Sequence, residues 1–467
     1  MPRMALWLFI PWFLCSCQAP SSWVKPVLED QGEVFVYLQP VPQGAENLRF
    51  SLDEVWAVHE NGAEFPLKLF LREWEGGEIP RTQRLLASAT LPPGRYAGIS
   101  LKIRQAFLRG EEGVGALLVP EEPVSLVHSF TVRRKKALAL LLSLDPAQSV
   151  SGGVGFSPRF SLATAGRELI GLTGYLSDSA RHTLFVFDKK RMQVTSVIAT
   201  GGRPMGIALG PFRRRAYVAL SGSDVVQAID VLSGEIVGKV SLNPGDGPEE
   251  LAVTPDGRFL VCVNHISGTA SIIDPERLFE LGRVRVGERP TGVAVSPSGQ
   301  RAFVVNSVSG TVSVVDLARS QILATLSVDG TPSRAAISRE GDRLFVISGD
   351  SPNLLVVDTA NLAVTQRVFI GTGAVSIKVD MQTGLTYIAK RAEGQVVVME
   401  PLSLIVIDKI DIGGTASHMT IDHDENALLA VLPEEGKLVK ANLVKQRVVS
   451  EMEIGGGSYS VAVVGER

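Results

Sequence analysis

Two residue series recur at one interval through most of this chain, and no other feature of the sequence constrains its fold as tightly. The first is an apolar residue followed by an acidic or amide one: Phe187-Asp188, Ile229-Asp230, Ile273-Asp274, Val315-Asp316, Val357-Asp358, Met399-Glu400 and Ala441-Asn442. Successive members lie 42 residues apart, except for a second step of 44. The second series runs in phase: Pro204, Pro248, Pro290, Pro332, Ala374, Ala416 and Ser458, each with a Gly no more than three residues before it. Two marks holding one period over seven units identify a repeat architecture, in which each copy buries its apolar face against the next.

The unit is clearest in residues 287–329, GERPTGVAVSPSGQRAFVVNSVSGTVSVVDLARSQILATLSVD. Four runs rich in Val, Ile and Ala, at 292–295, 302–305, 312–315 and 322–326, are separated by Ser-Pro-Ser-Gly, Ser-Val-Ser-Gly and a polar stretch. Such runs, broken by turn chemistry, predict a four-stranded antiparallel meander. One such sheet cannot bury both of its faces, whereas copies stacked around an axis can, which predicts a β-propeller. The first unit begins at a second strand, residues 170–176, and the last run, 458–464, is an inner strand without followers. Together they complete one blade, so the expected fold is all-β, with a seven-bladed propeller closed by the C-terminal strand.

The second strand of the unit carries a family resemblance. Tyr175-Leu176-Ser177-Asp178, Tyr217-Val218-Ala219-Leu220, Val261-Cys262-Val263-Asn264, Phe303-Val304-Val305-Asn306 and Tyr387-Ile388-Ala389-Lys390 resemble the Tyr-Val-Thr-Asn (YVTN) repeat of bacterial and archaeal surface proteins. That resemblance covers residues 169–467 and implies a seven-bladed propeller. It fades in the sixth and seventh units, where Lys390 and Leu432 stand at the Asn position.

Residues 1–17, MPRMALWLFIPWFLCSC, place Arg3 before an apolar run and read as an export signal, too short to span a bilayer. The ending Leu14-Cys15-Ser16-Cys17 resembles a bacterial lipoprotein signal, which implies Cys17 as the lipidated mature N-terminus and a membrane contact through the lipid anchor. Gln18 after it favours the outer membrane, facing the periplasm or the cell surface, and residues 18–25 form a polar tether. Residues 26–165 lack the period and are expected to form a separate β-sandwich ahead of the propeller at 166–467. Strand-like runs lie at 32–38, 55–58, 67–71, 95–103, 116–119, 130–132 and 137–144, and residues 156–162 are expected to be its last strand. Its Pro93-Gly94-Arg95-Tyr96 resembles an edge of transthyretin-like domains of unknown function. The basic run Arg133-Arg134-Lys135-Lys136 reads as a solvated turn.

Lys+Arg 46 against Asp+Glu 49 leaves a net charge of −3, without the basic excess of a nucleic-acid binder. Phosphate loops, paired metal-spaced cysteines, haem-attachment motifs and nucleophile elbows are missing, so neither a cofactor nor a metal is expected. His418 and His423, five apart, fall on opposite strand faces and make no chelating pair. Cys262 lies in a core run and is expected to be an inert buried thiol. What remains is the mouth of the propeller channel. Two residues beyond each Pro mark stand Gly206, Glu250, Gly292, Arg334, Ser376, His418 and Ser460, four of them small, as close approach at the axis demands. Glu249, Glu250, Arg334, Lys378, His418 and Tyr459 are therefore the candidate ligand-binding residues. Either they pair with one another around a wet axis, or Arg334, His418 and Lys378 hold a polar or anionic ligand. Gly245-Asp246-Gly247, in the insertion behind the 44-residue step, reads as a longer turn. The favoured function is non-enzymatic binding of a protein, peptide or glycan at the cell envelope. Alternatives are a lactonase-like hydrolase, with His418 as base and Arg334 at the oxyanion, and an accessory subunit of an envelope redox complex.

Overall fold

Each repeat of the sequence folds into one four-stranded antiparallel sheet. The computed structural model describes residues 30–40, 45–76, 82–110, 113–165, 170–212 and 214–465. Blade 2 runs outward from the axis as Pro204–Leu209, Arg215–Leu220, Val225–Asp230 and Ile236–Ser241, and blades 3 to 7 repeat this order. Blade 1 is composite: Ser458–Val463 is its inner strand, followed by Thr173–Asp178, Thr183–Asp188 and Gln193–Ala199. The register pairs Gly174 with Val463, Tyr175 with Ala462 and Leu176 with Val461, so the C-terminal strand closes a ring of seven blades. Its partner strand starts at Thr173, three residues later than expected, because Ile170–Leu172 form a 3-10 turn.

The first sequence mark has a local cause. Each Asp, Glu or Asn at the end of a third strand accepts hydrogen bonds from backbone N–H groups two or three residues on. Asp188 accepts from Lys190 and Arg191 at 2.7 and 2.9 Å, Asp358 from Ala360 and Asn361, and Asn442 from Val444 and Lys445. These bonds hold a tight turn whose fourth residue is left-handed in every blade: Met192, Gly234, Leu278, Ser320, Leu362, Leu404 and Gln446 all have positive φ. A short side chain with an acceptor oxygen stabilises such a turn locally.

The tetrapeptide Asn has a matching role. Asn264 Nδ2 donates to Thr269 Oγ1 and Ser271 Oγ, both at 2.9 Å, and Asn306 repeats the pattern to Thr311 and Ser313. The residue ties the second strand to the third inside the blade. Lys390 replaces it with a different solution, reaching the backbone carbonyls of Ile370 and Gly371.

The N-terminal part is a β-sandwich. One sheet has the order Arg159–Thr164, Ala137–Asp145, Gly32–Leu38, Arg84–Leu91 and Lys68–Leu69; the other is built on Leu48–His59 paired with Gly94–Gly110. Val34, Val36, Phe50, Leu101, Leu140 and Phe156 meet in the core between them. Tyr96 is buried, its hydroxyl donating to Pro92 O at 2.9 Å while its ring stacks on Phe130. Two expectations shift: the 67–71 run keeps only Lys68–Leu69 as strand, and Arg84–Leu91, with its weak alternation, is an added one. The expected last strand, 156–162, divides into Gly155–Phe156, half of a short hairpin, and Arg159–Thr164.

Gly32–Leu38 is buried on both faces. Its other side chains, Phe35 and Tyr37, join Ala139 in an apolar cluster with Leu176, Phe185 and Val197 of blade 1 and Leu438 and Met452 of blade 7. Phe35 meets Phe185 edge-on at 6.0 Å. Around this patch the Gln83 side chain accepts from Val194 N (2.7 Å) and donates to Val194 O (3.1 Å), covering part of an edge strand. Arg84 pairs with Glu453, and Lys136 with Glu235.

Candidate functional site

The second sequence mark sits where the chain enters each inner strand, and there the ladder is irregular. In six of the seven inner strands one extra residue lies at the step after the mark, as between Pro248 and Glu250 or Pro332 and Arg334. A bulge re-aims side chains at the rim of a sheet. Here it turns consecutive residues such as Glu249 and Glu250 toward one axial network. Gly206 shows the crowding: a Cβ there would come within 2.7 Å of Glu249 O and 2.9 Å of Glu250 Cα.

Four of the six candidate residues meet directly across the axis. Tyr459 of blade 1 donates its hydroxyl hydrogen to Glu249 Oε1 of blade 3 at 3.0 Å and accepts from Arg334 Nη2 of blade 5 at 3.0 Å. Arg334 Nη1 donates to the carbonyls of Thr291 and Ser333, and Nη2 lies 3.7 Å from Glu250 Oε2. His418, on blade 7, accepts through Nδ1 from Val461 N at 3.4 Å, linking blades 7 and 1. Lys378, on blade 6, acts on Glu250 through its charge.

Electrostatics follow from burial. Burial raises the Glu250 carboxyl above the ordinary range, against the pull of Arg334. Burial likewise pushes the Tyr459 hydroxyl up. Burial opposes the Arg334 charge too, but Tyr459, Glu250 and Glu249 outweigh it, so the guanidinium is held more firmly protonated than usual. Glu249 is lowered despite its burial because His265 lies beside it, Nδ1 to Oε2 at 2.8 Å, and the same contact raises His265. The sequence reading missed His265. It follows the tetrapeptide Asn264, where the next repeat has Ser307, and that exchange was the available signal.

A cavity of about 720 Å³ runs along the axis beyond this network. Glu250, Arg334, Ser376 and His418 border it at one end, and the exposed Pro211 and Pro255 line the other. Between them the wall is aliphatic, with Ile207, Leu251, Val293, Ile377 and Val461 at one level. Lys378 lies inside that apolar stretch.

Other expected features resolve into structural contacts. Asp246 is buried and held by Arg283 Nη1 at 2.7 and 2.8 Å, so the longer turn is an internal brace. Cys262 is fully buried, and burial raises its thiol. His423 pairs with Asp380 at 2.8 Å, on a different partner from His418. Arg133, Arg134, Lys135 and Lys136 are exposed in a turn. A buried ion cluster escaped the sequence reading. Lys189 Nζ of blade 1 donates to Asp422 Oδ1 (2.7 Å), Asp424 Oδ2 (3.0 Å) and Val464 O (2.6 Å), joining blade 7 and the closing strand. Cys17, the tether and the junction at 166–169 lie outside the described residues. Among the described residues no group of three His, Cys, Asp or Glu could hold a metal ion, and no helix is long and apolar enough to cross a membrane.

No protein-family model matches the chain, and no curated protein matches it. Solved structures do resemble it in shape. A functionally unknown protein from Desulfotomaculum acetoxidans is 14% identical at a TM-score of 0.54, over 62% of this chain and 98% of that one. Dihydro-haem d1 dehydrogenase NirN, in complex with DHE, is 14% identical at a TM-score of 0.50, over 64% of this chain and 77% of its own. Hydrazine synthase of Kuenenia stuttgartiensis is 21% identical at a TM-score of 0.48, over 55% and 88%. At such identities a likeness speaks to architecture alone. The repeat, the seven closed sheets and the first two of these neighbours agree on it: the chain is a β-propeller protein with an N-terminal β-sandwich.

Proposed function

We propose that this chain is a cell-envelope protein, anchored at the outer membrane through a lipid on Cys17, whose propeller is a non-enzymatic binding module for a protein, peptide or glycan. The observation that carries the reading is the axial cavity, large enough for a ligand group, with Arg334 and Lys378 against Glu250 on its wall. Charges of both signs beside an aliphatic wall suit a partner that presents polar and apolar groups together. The hydrolase reading has less support. Arg334 already serves two carbonyls, Tyr459 and Glu250, so its donors are engaged where an oxyanion would need them.

The test is a screen of the purified chain against arrays of peptides and glycans, with an ester and lactone panel run alongside. Array ligands that bind the native protein should lose at least tenfold in affinity to Lys378→Ala. Turnover of any ester or lactone that disappears in His418→Ala would replace this reading with the hydrolase. For the anchor, Cys17→Ala should block fatty-acid labelling of the chain while Cys15→Ala leaves it intact.

A further inference from the structure

An antiparallel blade puts its first and third turns at one end of the propeller and its inner-strand entries at the other. The end away from the Tyr459 network therefore carries turn 189–192 of blade 1, turns 210–214 and 231–235 of blade 2 and turn 275–278 of blade 3. Lys190, Arg214 and Arg277 are exposed on these turns, and among the described residues none of the three takes part in an ion pair or a side-chain hydrogen bond. Phe212 and Leu232 project among them, 70% and 68% exposed. Most acids on this side are engaged: Asp188, Asp230, Asp256 and Asp274 hold their own turns and Glu235 holds Lys136, which leaves Glu276. Across the ring, blade 5 sets Glu340 and Asp342 beside Arg339, so the same end is not basic there.

The sandwich extends this surface. Lys136 pairs with Glu235 and borders one hollow together with Leu232, which sets the turn Arg133-Arg134-Lys135-Lys136 beside blade 2. Arg133 and Lys135 are exposed in it and, among the described residues, unpaired. The same turn meets the chain where it enters the sandwich: Lys135 N donates to Gln31 O at 2.8 Å, and Arg134 lies 3.5 Å from Asp30. Asp30 stands thirteen residues after Cys17. Even fully extended, those residues reach at most about 45 Å. We propose that this surface, the sandwich turn with the turns of blades 1 to 3, rests on the anionic phospholipid of the bilayer that holds the Cys17 lipid. The proposal rests on the reading of Cys17 as the anchor, which sets the bilayer concerned and delivers it to the side where Asp30 lies. Lysine and arginine attract the lipid phosphates, while Phe212 and Leu232 bury apolar surface at the acyl boundary. The orientation turns the Pro211 and Pro255 mouth of the axial cavity toward lipid and the Tyr459 network away from it, where a partner approaches.

Vesicle sedimentation with residues 18–467, which keep every described residue and lack the lipid, tests the surface apart from the anchor. The chain should bind vesicles of equal phosphatidylglycerol and phosphatidylcholine about tenfold more tightly than phosphatidylcholine alone. Binding should hold at about 0.05 M salt and be lost at about 1 M, where charges are screened within a few ångströms. Arg133→Glu with Lys135→Glu, or Lys190→Glu with Arg214→Glu, should each weaken binding about tenfold. All four side chains are exposed, so the circular dichroism spectrum should not change. Arg203→Glu with Arg391→Glu makes the same change of charge at the opposite end and should leave binding unaltered. Binding no tighter to the anionic vesicles, or an equal loss in the opposite-end variant, overturns the proposal. Capture by heparin without vesicle binding also overturns it and assigns the surface to an acidic glycan. Fatty-acid labelling that survives Cys17→Ala overturns the anchor alone, whereas absent vesicle binding overturns the surface alone.

Discussion

Tyr459 shows how much one side chain can do at a symmetry axis. Its hydroxyl stands between a carboxylate of blade 3 and a guanidinium of blade 5, donating to the carboxylate and accepting from the guanidinium. Beside it, the Glu249–His265 contact makes stability depend on pH. His265 is raised above its ordinary 6.5, so its contribution is complete below that value and is lost as pH rises through the higher folded value. Glu249 is lowered from 4.5, so its contribution is complete above that value and is lost as pH falls through the lower folded value. The pair therefore contributes fully only between those two ordinary values. Urea midpoints should show the native chain losing stability relative to His265→Gln as pH rises above the ordinary 6.5, the linkage expected of a paired imidazolium. The same pH dependence in the variant would remove His265 as the cause.

At the scale of the element, the turn after each third strand holds a left-handed residue that is non-glycine in six of seven blades. Some of these side chains repay the strain by packing, as Met192 and Leu404 do in blade cores. Gln446 does not: it is exposed at φ 51°. Gln446→Gly should therefore stabilise the protein by about 0.5–1 kcal/mol, since relief of the left-handed penalty exceeds the added chain entropy. Thermal denaturation would register the gain, and a lower midpoint would show that the asparagine-held turn carries no strain. The inner-strand bulge has the opposite character. It costs ladder bonds and returns two axis-facing residues where a regular strand presents one.

For the whole molecule, closure is the decisive event. Val461 and Val463 are buried in the ring, and Val464 O accepts from the buried Lys189. Deleting residues 458–467 would expose those apolar faces at about 1.5–3 kcal/mol for each aliphatic side chain and leave an inner edge unpaired. Against a total stability of about 5–15 kcal/mol, the truncated chain should aggregate on expression, which sedimentation of the lysate would reveal. A soluble, cooperatively folding product would mean that the ring does not depend on its last strand. The sandwich adds to closure from outside. Phe35, Tyr37 and Gln83 cover the junction of blades 1 and 7, the two blades that the closing strand joins.

The repeat, the blade count and the closing strand were legible in the residues because they depend on local chemistry. An Asp or Asn that caps its own turn, a Gly before an inner strand and alternating Val and Ile act within a few residues of themselves. The crowding of the axis was legible for the same reason, since Gly206, Gly292, Ser376 and Ser460 are small wherever seven strands converge. Contacts between distant residues were not. Tyr459 meeting Glu249 and Arg334, Lys189 finding Asp422, and Phe35 and Tyr37 packing on Phe185 and its neighbours each join segments separated by more than a hundred residues, and no periodicity records such a meeting. The strand Gly32–Leu38 makes the distinction plain. Its composition determined that it would be buried, but only the placement of the sandwich against blades 1 and 7 decided that both of its faces would be, because a strand's second face is covered by whatever the tertiary structure brings to it.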